Sequence, residues 1–291
     1  MKRFAYRMAA LLCLAAMFFP ALCSADVRQI GPDLYAYISD VDSSSNSTFL
    51  VTTEGILVVD TGANDKEAGK LLAAIRKISQ APIRYVINTH YHPDHTGGDV
   101  AVASGAVVFS TDFTLAKLAS INSRAVAHER WITFPKAVSI YLGGHEIRLY
   151  HPGPAHTLGD VVVYFPDQRA LATGDLFLNN SCPAMDEGDL ENWIAALNHM
   201  LALPVDRVVP GHFELASRRD LEKFRNYLRD LASQVKAMHA KRMQLPEIQK
   251  SLQLDRYRSF RQYPNYEATF RDNAAAYYRQ LEQRWKRTRD W

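Results

Sequence analysis

The chain has 291 residues, of which 47% are hydrophobic and 22% are charged, and it carries 34 Lys and Arg residues against 31 Asp and Glu residues. This length and balance are typical of a folded globular protein with a substantial core, and they exclude a disordered or fibrous chain. A net charge so close to zero gives no basis for nucleic-acid binding, and we expect none.

Residues 1–25 have the order of a secretory signal peptide. Lys2, Arg3 and Arg7 precede an apolar run that ends in small residues. The run is too short to span a bilayer comfortably, so we expect cleavage and no stable membrane insertion afterwards; the alternative is an uncleaved N-terminal anchor. We therefore expect an exported protein of the bacterial periplasm. Cys182 is the one cysteine after this segment, so an internal disulfide is excluded.

Strand-like patterns dominate the start of the remaining chain. Short runs rich in β-branched and aromatic residues predict strands between residues 34 and 59. The polar loop 42–47 separates two of these strands, and we expect it to lie over a site. Asn64 is the expected N-cap of a first helix, and the apolar run that follows this helix predicts a buried strand that ends before residue 90.

Helix-like patterns become more frequent towards the C-terminus. Apolar residues spaced by three and four predict helices over 189–203 and 218–241. No Pro-, Gly- or Ser-rich linker divides the chain, so we predict a single α/β domain over 26–291. Its core would span about 28–215, and residues 216–291 would form a helical C-terminal extension.

Three histidines and an aspartate fall within six positions, at His90, His92, Asp94 and His95. If the preceding strand continued through them, His90 and His92 would share one face and point at one ion. Imidazole and carboxylate groups are good zinc ligands, and burying this many of them without a partner would be costly. The cluster therefore predicts a metal site.

Further metal-capable side chains follow apolar strands and small turn residues elsewhere in the chain. They are His156 in "GPAHTLGD", Asp175 in "LATGDLF" and His212 in "VVPGHF". Ligands at the ends of rigid strands are well positioned, so we expect these three residues to complete the site.

These motifs together resemble the metallo-β-lactamase-fold hydrolase superfamily. The resemblance rests on "HYHPDH", "AHTLGD", "TGDLF" and "VPGHF" in this order, with "VVDTGAN" upstream. It implies a four-layer αβ/βα sandwich with the metal site on one edge. It also implies that Asp60, in the upstream motif, steadies the histidine loop by accepting hydrogen bonds; the alternative for Asp60 is a turn carboxylate.

The same resemblance implies two zinc ions and a ligand set for each. The first ion would be held by His90, His92 and His156. The second ion would be held by Asp94, His95 and His212, and Asp175 would bridge both. A hydroxide between the ions would be the nucleophile, and Asp94 would also orient it.

Two positions separate this chain from well-known branches that it otherwise resembles. His92 stands where the flavo-diiron branch has an acid, which disfavours redox iron chemistry. Asp175 stands where the best-known lactamases have Cys or Ser, and Leu178 stands where those with Cys place a substrate-binding Lys. These differences favour hydrolysis of a small ester, thioester, lactone or amide, with β-lactam hydrolysis as the alternative.

The segment 173–212 also resembles exported zinc hydrolases of quinoprotein relay systems. That resemblance leaves a third possibility, a non-catalytic accessory protein of a periplasmic quinoprotein system. We expect a small-molecule acyl substrate and cannot name a protein partner. The loop 42–47 and the stretch 124–134 are expected to shape the pocket, whereas His145, His151 and Cys182 are expected to have ordinary structural roles.

Overall fold

The computed structural model describes residues 26–121, 123–127, 130–262 and 268–287. The predicted signal peptide, residues 1–25, lies outside them. Within the described ranges, no helix is both long and apolar enough to cross a membrane.

The first sheet has seven strands in chain order across its described part. They are β1 (Asp26–Gln29), β2 (Leu34–Ile38), β3 (Ser47–Thr52), β4 (Gly55–Val59), β5 (Ile83–Ile87), β6 (Val107–Ser110) and β7 (Trp131–Thr133). β1 to β4 pair in antiparallel fashion, whereas β4 to β7 are parallel. The carboxyl ends of β4 and β5 therefore meet at the same edge of the sheet.

The second sheet, counted over the same ranges, has six strands in the order β13-β12-β11-β10-β9-β8. They are β8 (Ala137–Leu142), β9 (His145–Tyr150), β10 (Val162–Phe165), β11 (Ala170–Ala172), β12 (Arg207–Val209) and β13 (Ala216–Ser217). β11 and β12 are parallel, and the other neighbours are antiparallel. The parallel pair again brings two strand ends to one edge.

The described helices follow the strands along the chain. They are α1 (Asp65–Ile78), α2 (Pro93–Thr96), α3 (Asp99–Val102), α4 (Asp112–Ser120), α5 (Leu190–Ala202), α6 (Arg218–Ala240), α7 (Leu245–Ser251) and α8 (Phe270–Arg287). As predicted, Asn64 caps α1 by accepting hydrogen bonds from the backbone of Lys66 and Glu67.

Apolar side chains divide the molecule into four layers. One core lies between the two sheets and includes Leu57 and Ile147. A second core joins the first sheet to α1 through residues such as Leu71. The third core joins the second sheet to the C-terminal helices, and Leu228 of the predicted α6 stripe is fully buried there. The predicted four-layer αβ/βα sandwich with helical C-terminal residues is confirmed.

Candidate metal centre

The candidate ligands lie in segments that follow strands, and two of them, Asp94 and His95, belong to the short helix α2. His90 and His92 follow β5, Asp175 follows β11 and His212 follows β12. β5 ends at Ile87, before residue 90 as predicted, so His90 and His92 do not lie in a common strand. Beyond that point the backbone N–H of Thr89 donates to the carboxylate of Asp60, 2.8 Å away, rather than to a neighbouring strand.

The structure brings His90, His92, His156 and Asp175 together as a first group of ligand atoms. Nε2 of His90 lies 3.0 Å from Nδ1 of His92, and Nε2 of His156 lies 3.2 Å from the same Nδ1. Nε2 of His156 also lies 3.7 Å from Oδ2 of Asp175. Four potential ligand atoms from distant parts of the chain therefore converge on one point.

Asp94, His95, Asp175 and His212 form the second group. Oδ1 of Asp175 lies 3.2 Å from Nε2 of His95 and 3.6 Å from Nε2 of His212. Oδ2 of Asp94 lies 3.0 Å from Nε2 of His212 and 3.6 Å from Nε2 of His95. Asp175 thus turns one oxygen to each group.

The spacing of these atoms suits a small tetrahedral cation. Zinc bonded to nitrogen and oxygen at about 2.0–2.1 Å has ligand atoms roughly 3.3 Å apart. Contacts of 3.0–3.7 Å within both groups match this spacing. Nε2 of His95 and Oδ1 of Asp175 are also buried and make no hydrogen bond with any described residue. Buried polar atoms of this kind need a partner, so the donor set fits a metal such as zinc.

The first group is built from imidazoles that burial keeps neutral. Burial lowers the pKa of His156 to about 4 and holds the pKa of His90 well below its usual value. Burial also lowers the pKa of His92. Because only the neutral imidazole has a lone pair for a metal, these three side chains are ready to bind without losing a proton.

The second group has the opposite electrostatics. Burial opposes the charged form of His95, but Asp175 and Asp60 outweigh it and hold the pKa of His95 well above its usual value. Asp175 and Asp94 likewise raise the pKa of His212 against the effect of burial. The imidazoles in return hold the pKa of Asp175 well below its usual range despite its burial. The carboxylates of this group stabilise a positive charge nearby. Without a metal, the protonated imidazoles of His95 and His212 provide that charge.

Asp60 supports both the histidine loop and one candidate ligand. Its Oδ2 accepts hydrogen bonds from Thr89 Oγ1 and His95 Nδ1, each at 2.8 Å. A proton held on Nδ1 leaves Nε2 of His95 facing the second group, as a metal ligand requires. Asp60 has φ of 57°, a left-handed conformation that aspartate tolerates better than most residues. The contacts are those that the resemblance implied for this residue.

Sequence reasoning missed the side chains that hold the ligand loops in place. Thr89 Oγ1 lies 3.1 Å from Nδ1 of His90, so it links that ring to Asp60. The indole of Trp193 donates to the backbone oxygen of Leu176, beside Asp175, and packs edge-on against the ring of His156. Thr89 adjoins the histidine cluster in sequence and could have been noticed there, whereas Trp193 gave only an ordinary helical pattern.

Gly97 and Gly98 allow the histidine segment to approach a neighbouring loop closely. Both adopt ordinary right-handed conformations, with φ of −65° and −92°. A Cβ at Gly97 would lie 2.0 Å from the oxygen of Ala63, and one at Gly98 would lie 2.2 Å from the oxygen of Thr61. Glycine is needed because the histidine segment packs directly on the backbone of the loop after β4.

A cavity of about 820 Å³ opens above the ligand atoms. As expected, the loop 42–47 borders it, since Asp42 and Ser43 line the cavity and Asn46 donates hydrogen bonds to the oxygens of Pro210 and Phe213. Most of the other residues that line the cavity are apolar, among them Leu178, Ala184 and Phe213. None of the described residues of the stretch 124–134 lines this cavity, and residues 128 and 129 of that stretch lie outside the described ranges.

His145, His151 and Cys182 have the structural roles expected of them. Nδ1 of His145 lies 2.5 Å from a carboxylate oxygen of Asp167, and Nδ1 of His151 lies 2.7 Å from the backbone oxygen of Asp160. Cys182 is 1% exposed and packs in the core beneath the cavity that it lines. Burial raises the pKa of its thiol to about 12, so it stays protonated and unreactive.

Comparison with known proteins agrees with the fold. The family model of the metallo-beta-lactamase superfamily matches residues 40–212, more than half of the chain. That range contains all seven candidate ligands.

Individual relatives match over parts of their length. The chain is 31% identical over 173 residues to the 2,4-dinitroanisole O-demethylase subunit alpha of Nocardioides sp. (strain JS1661), covering 58% of this chain and 52% of that protein. It is 26% identical over 197 residues to the metallo-beta-lactamase type 2 of Elizabethkingia meningoseptica, covering 64% of this chain and 78% of that protein. The chain thus spans about half of the first relative.

One solved structure extends the likeness of the fold beyond the family model. The stereoselective inverting sec-alkylsulfatase of Pseudomonas sp. aligns with a TM-score of 0.72 over 88% of this chain and 50% of its own, at 18% identity. At that identity the likeness concerns the fold alone.

Proposed function

This chain belongs to the metallo-beta-lactamase superfamily, and we propose on that basis that it is an exported, zinc-dependent hydrolase. Its substrate would be a small molecule with an ester, thioester, lactone or amide bond, and a hydroxide shared by two zinc ions would be the nucleophile. Residues 1–25 would direct export to the periplasm and then be removed; the pattern of basic, apolar and small residues supports this step.

The observation that carries the proposal is the position of Asp175 between the two ligand groups. Its Oδ2 faces His156 and its Oδ1 faces His95 and His212. A carboxylate that serves two groups supports two ions at close range rather than two independent sites. Zinc pairs held in this way lower the pKa of water and polarise a carbonyl group.

The residues around the ligand atoms support acyl chemistry. Asp94 is the most exposed of the second group, with 30% of its side chain accessible where it faces the cavity. Its carboxylate can orient a nucleophilic water and hold the proton that this water gives up. The apolar wall opposite, formed by residues such as Leu178 and Phe213, can exclude water from an acyl group.

Hydrolysis of β-lactams is the second candidate, favoured by the match to the Elizabethkingia meningoseptica enzyme. Leu178 argues against this candidate, because it lines the cavity at the position where lactamases with Cys in place of Asp175 have a substrate-binding Lys. A β-lactam carboxylate would lose a charge-assisted contact worth about 1.5–3 kcal/mol at that position.

A non-catalytic accessory role in a quinoprotein system is the third candidate. A binding protein has no need of a complete set of ligand residues, so the converging ligand atoms support turnover instead. This candidate would gain support if no substrate were hydrolysed and a dehydrogenase co-purified with the chain.

The direct test combines a metal assay with an activity screen on the purified, export-processed protein. We expect about two zinc ions per chain and hydrolysis of at least one member of an ester, thioester, lactone, phosphodiester and β-lactam panel. The variant Asp94→Ala should lose activity by at least about a hundredfold. Asp167→Ala removes a carboxylate outside the cavity, paired with His145, and should keep full activity. An Asp94→Ala protein as active as wild type would contradict the proposal.

A further inference from the structure

Arg261 places a positive charge beside the rim of the cavity. We propose that its guanidinium group binds an anionic group at the far end of the substrate, so that the preferred substrates are acyl compounds with a distal carboxylate. The proposal names a substrate class for the proposed hydrolase and therefore rests on that function. Its support comes from the backbone of Arg261, its packing and the charges around the cavity.

The backbone of Arg261 is fixed although its side chain is exposed. Its N–H donates to the oxygen of Asn180 at 2.8 Å, and its oxygen accepts from the N–H of Cys182 at 2.9 Å. Ser181 lies between those two partners and pairs with Arg261 as an isolated parallel bridge. Because Ser181 and Cys182 line the cavity, the pairing fixes the origin of the arginine side chain next to the cavity wall.

The guanidinium group stacks on a ring of that wall. Its central carbon lies 4.3 Å from the centroid of the Phe213 ring. Phe213 directly follows His212 and lines the cavity, and the two ring centroids are 6.0 Å apart. The guanidinium carbon is therefore no more than about 10 Å from the ring of a candidate ligand. A planar guanidinium on an aromatic face is held in place while its N–H groups remain available.

Phe213 is held in a costly conformation to form this contact. Its φ is 72°, which is left-handed and unfavourable for a bulky residue. A hydrogen bond of 2.7 Å from Asn46 to the oxygen of Phe213 helps to hold the backbone there. Strain of this kind concentrates at sites that contact ligands. The backbone of Phe213 therefore holds its ring in a defined position beneath the guanidinium group of Arg261.

The described residues that line the cavity carry acidic charge, whereas Arg261 at its rim carries a positive one. The described lining residues include the acids Asp42, Asp94 and Asp175 and no Lys or Arg. Arg261 itself has no carboxylate of the described chain within ion-pair distance. An acyl chain that leaves the cavity past Phe213 would meet this guanidinium, whereas a short substrate would not reach it.

The test compares two substrates of equal chain length that differ in one distal charge. They are the mono-4-nitrophenyl ester of suberic acid and 4-nitrophenyl octanoate. We expect kcat/KM for the suberate ester to fall about fivefold in Arg261→Ala and further in Arg261→Glu, with the octanoate ester unchanged. The effect should weaken at high salt because the site is exposed. Arg258→Ala and Arg258→Glu, exposed arginine variants of the same segment, should change neither substrate.

A binding measurement separates this proposal from the proposed function. The zinc-loaded protein is titrated with 9-oxodecanoate and with 2-decanone, ketones that cannot be hydrolysed. The wild type should bind the anion more tightly, and Arg261→Ala should remove most of that preference. If no ester is turned over, the hydrolase assignment fails, but the ratio of the dissociation constants of 2-decanone and 9-oxodecanoate still decides the role of Arg261. The proposal would be overturned if this ratio were the same in Arg261→Ala as in the wild type, which includes the case in which both ligands lose affinity equally.

Discussion

The two halves of the candidate metal centre share Asp175 but differ in chemistry. The first half is three imidazoles whose pKa values burial lowers, and the second half combines Asp94 with imidazoles whose pKa values neighbouring carboxylates raise. The first half therefore binds a cation with little competition from protons. In the second half, His95 and His212 bind protons that a metal ion has to displace.

The two halves also differ in how their ligands could take part in the reaction. His90 and His95, one imidazole in each half, are fully buried, whereas Asp94 is the most exposed of the candidate ligands in the second half and faces the cavity. An ion in the first half would be held by neutral imidazoles, and one in the second half would also contact this exposed carboxylate. We infer that metal affinity and catalytic use are divided unequally between the two halves.

Removing the shared carboxylate should have the largest effect. Asp175→Ala takes one ligand from each half but leaves three imidazoles in the first half, so we expect about one zinc ion per chain and a loss of hydrolysis of at least about a thousandfold. Metal analysis after dialysis and the activity screen measure both quantities. Asp206→Ala removes an exposed carboxylate paired with Arg169 and serves as the matched control. Two zinc ions retained by Asp175→Ala would show that the halves do not depend on this bridge.

Lowering the pH should separate the two halves. His95 and His212 have raised pKa values, so protons compete with metal there at a higher pH than in the first half. Zinc affinity in the second half should fall by about tenfold per pH unit for each proton taken up, while the first half holds its ion until a more acidic pH. Zinc retained per chain, measured by equilibrium dialysis between pH 8 and 5, should drop from two to one first. Simultaneous loss of both ions would contradict this order.

A smaller effect is expected when Asp60 is replaced by Asn. The amide tolerates the left-handed backbone but cannot accept at both oxygen positions, so His95 would lose the bond that orients its ring. Zinc affinity in the second half should fall by about ten- to a hundredfold. Competition with a chelating indicator measures the change, and Asp206→Ala again serves as the control. Equal weakening of both halves would indicate that Asp60 acts through the whole loop instead.

Much of this centre could be predicted from the sequence because its residues follow strong local patterns. The candidate ligands come directly after apolar strands or within the dense histidine cluster. The long helices α1, α5 and α6 were predicted from their apolar spacing and confirmed. Their buried faces repeat over several turns, so the pattern is unambiguous.

Other features depend on contacts between distant segments that no local pattern records. β1 and β13 are so short that their pairing, rather than their composition, makes them strands. His90 and His92 would share one face if β5 continued through them, but competition from Asp60 for the backbone ends β5 earlier. The stacking of Arg261 on Phe213 arises from backbone pairing with residues 180–182.

The most direct test of the central claim is a calorimetric titration of the metal-free protein with zinc at neutral pH. Two groups that share Asp175 predict about two zinc ions per chain, bound in two steps of different affinity, with proton release concentrated in the weaker step. Binding of a single ion, or of two ions with no proton release in either step, would contradict the account of a neutral half and an acidic half.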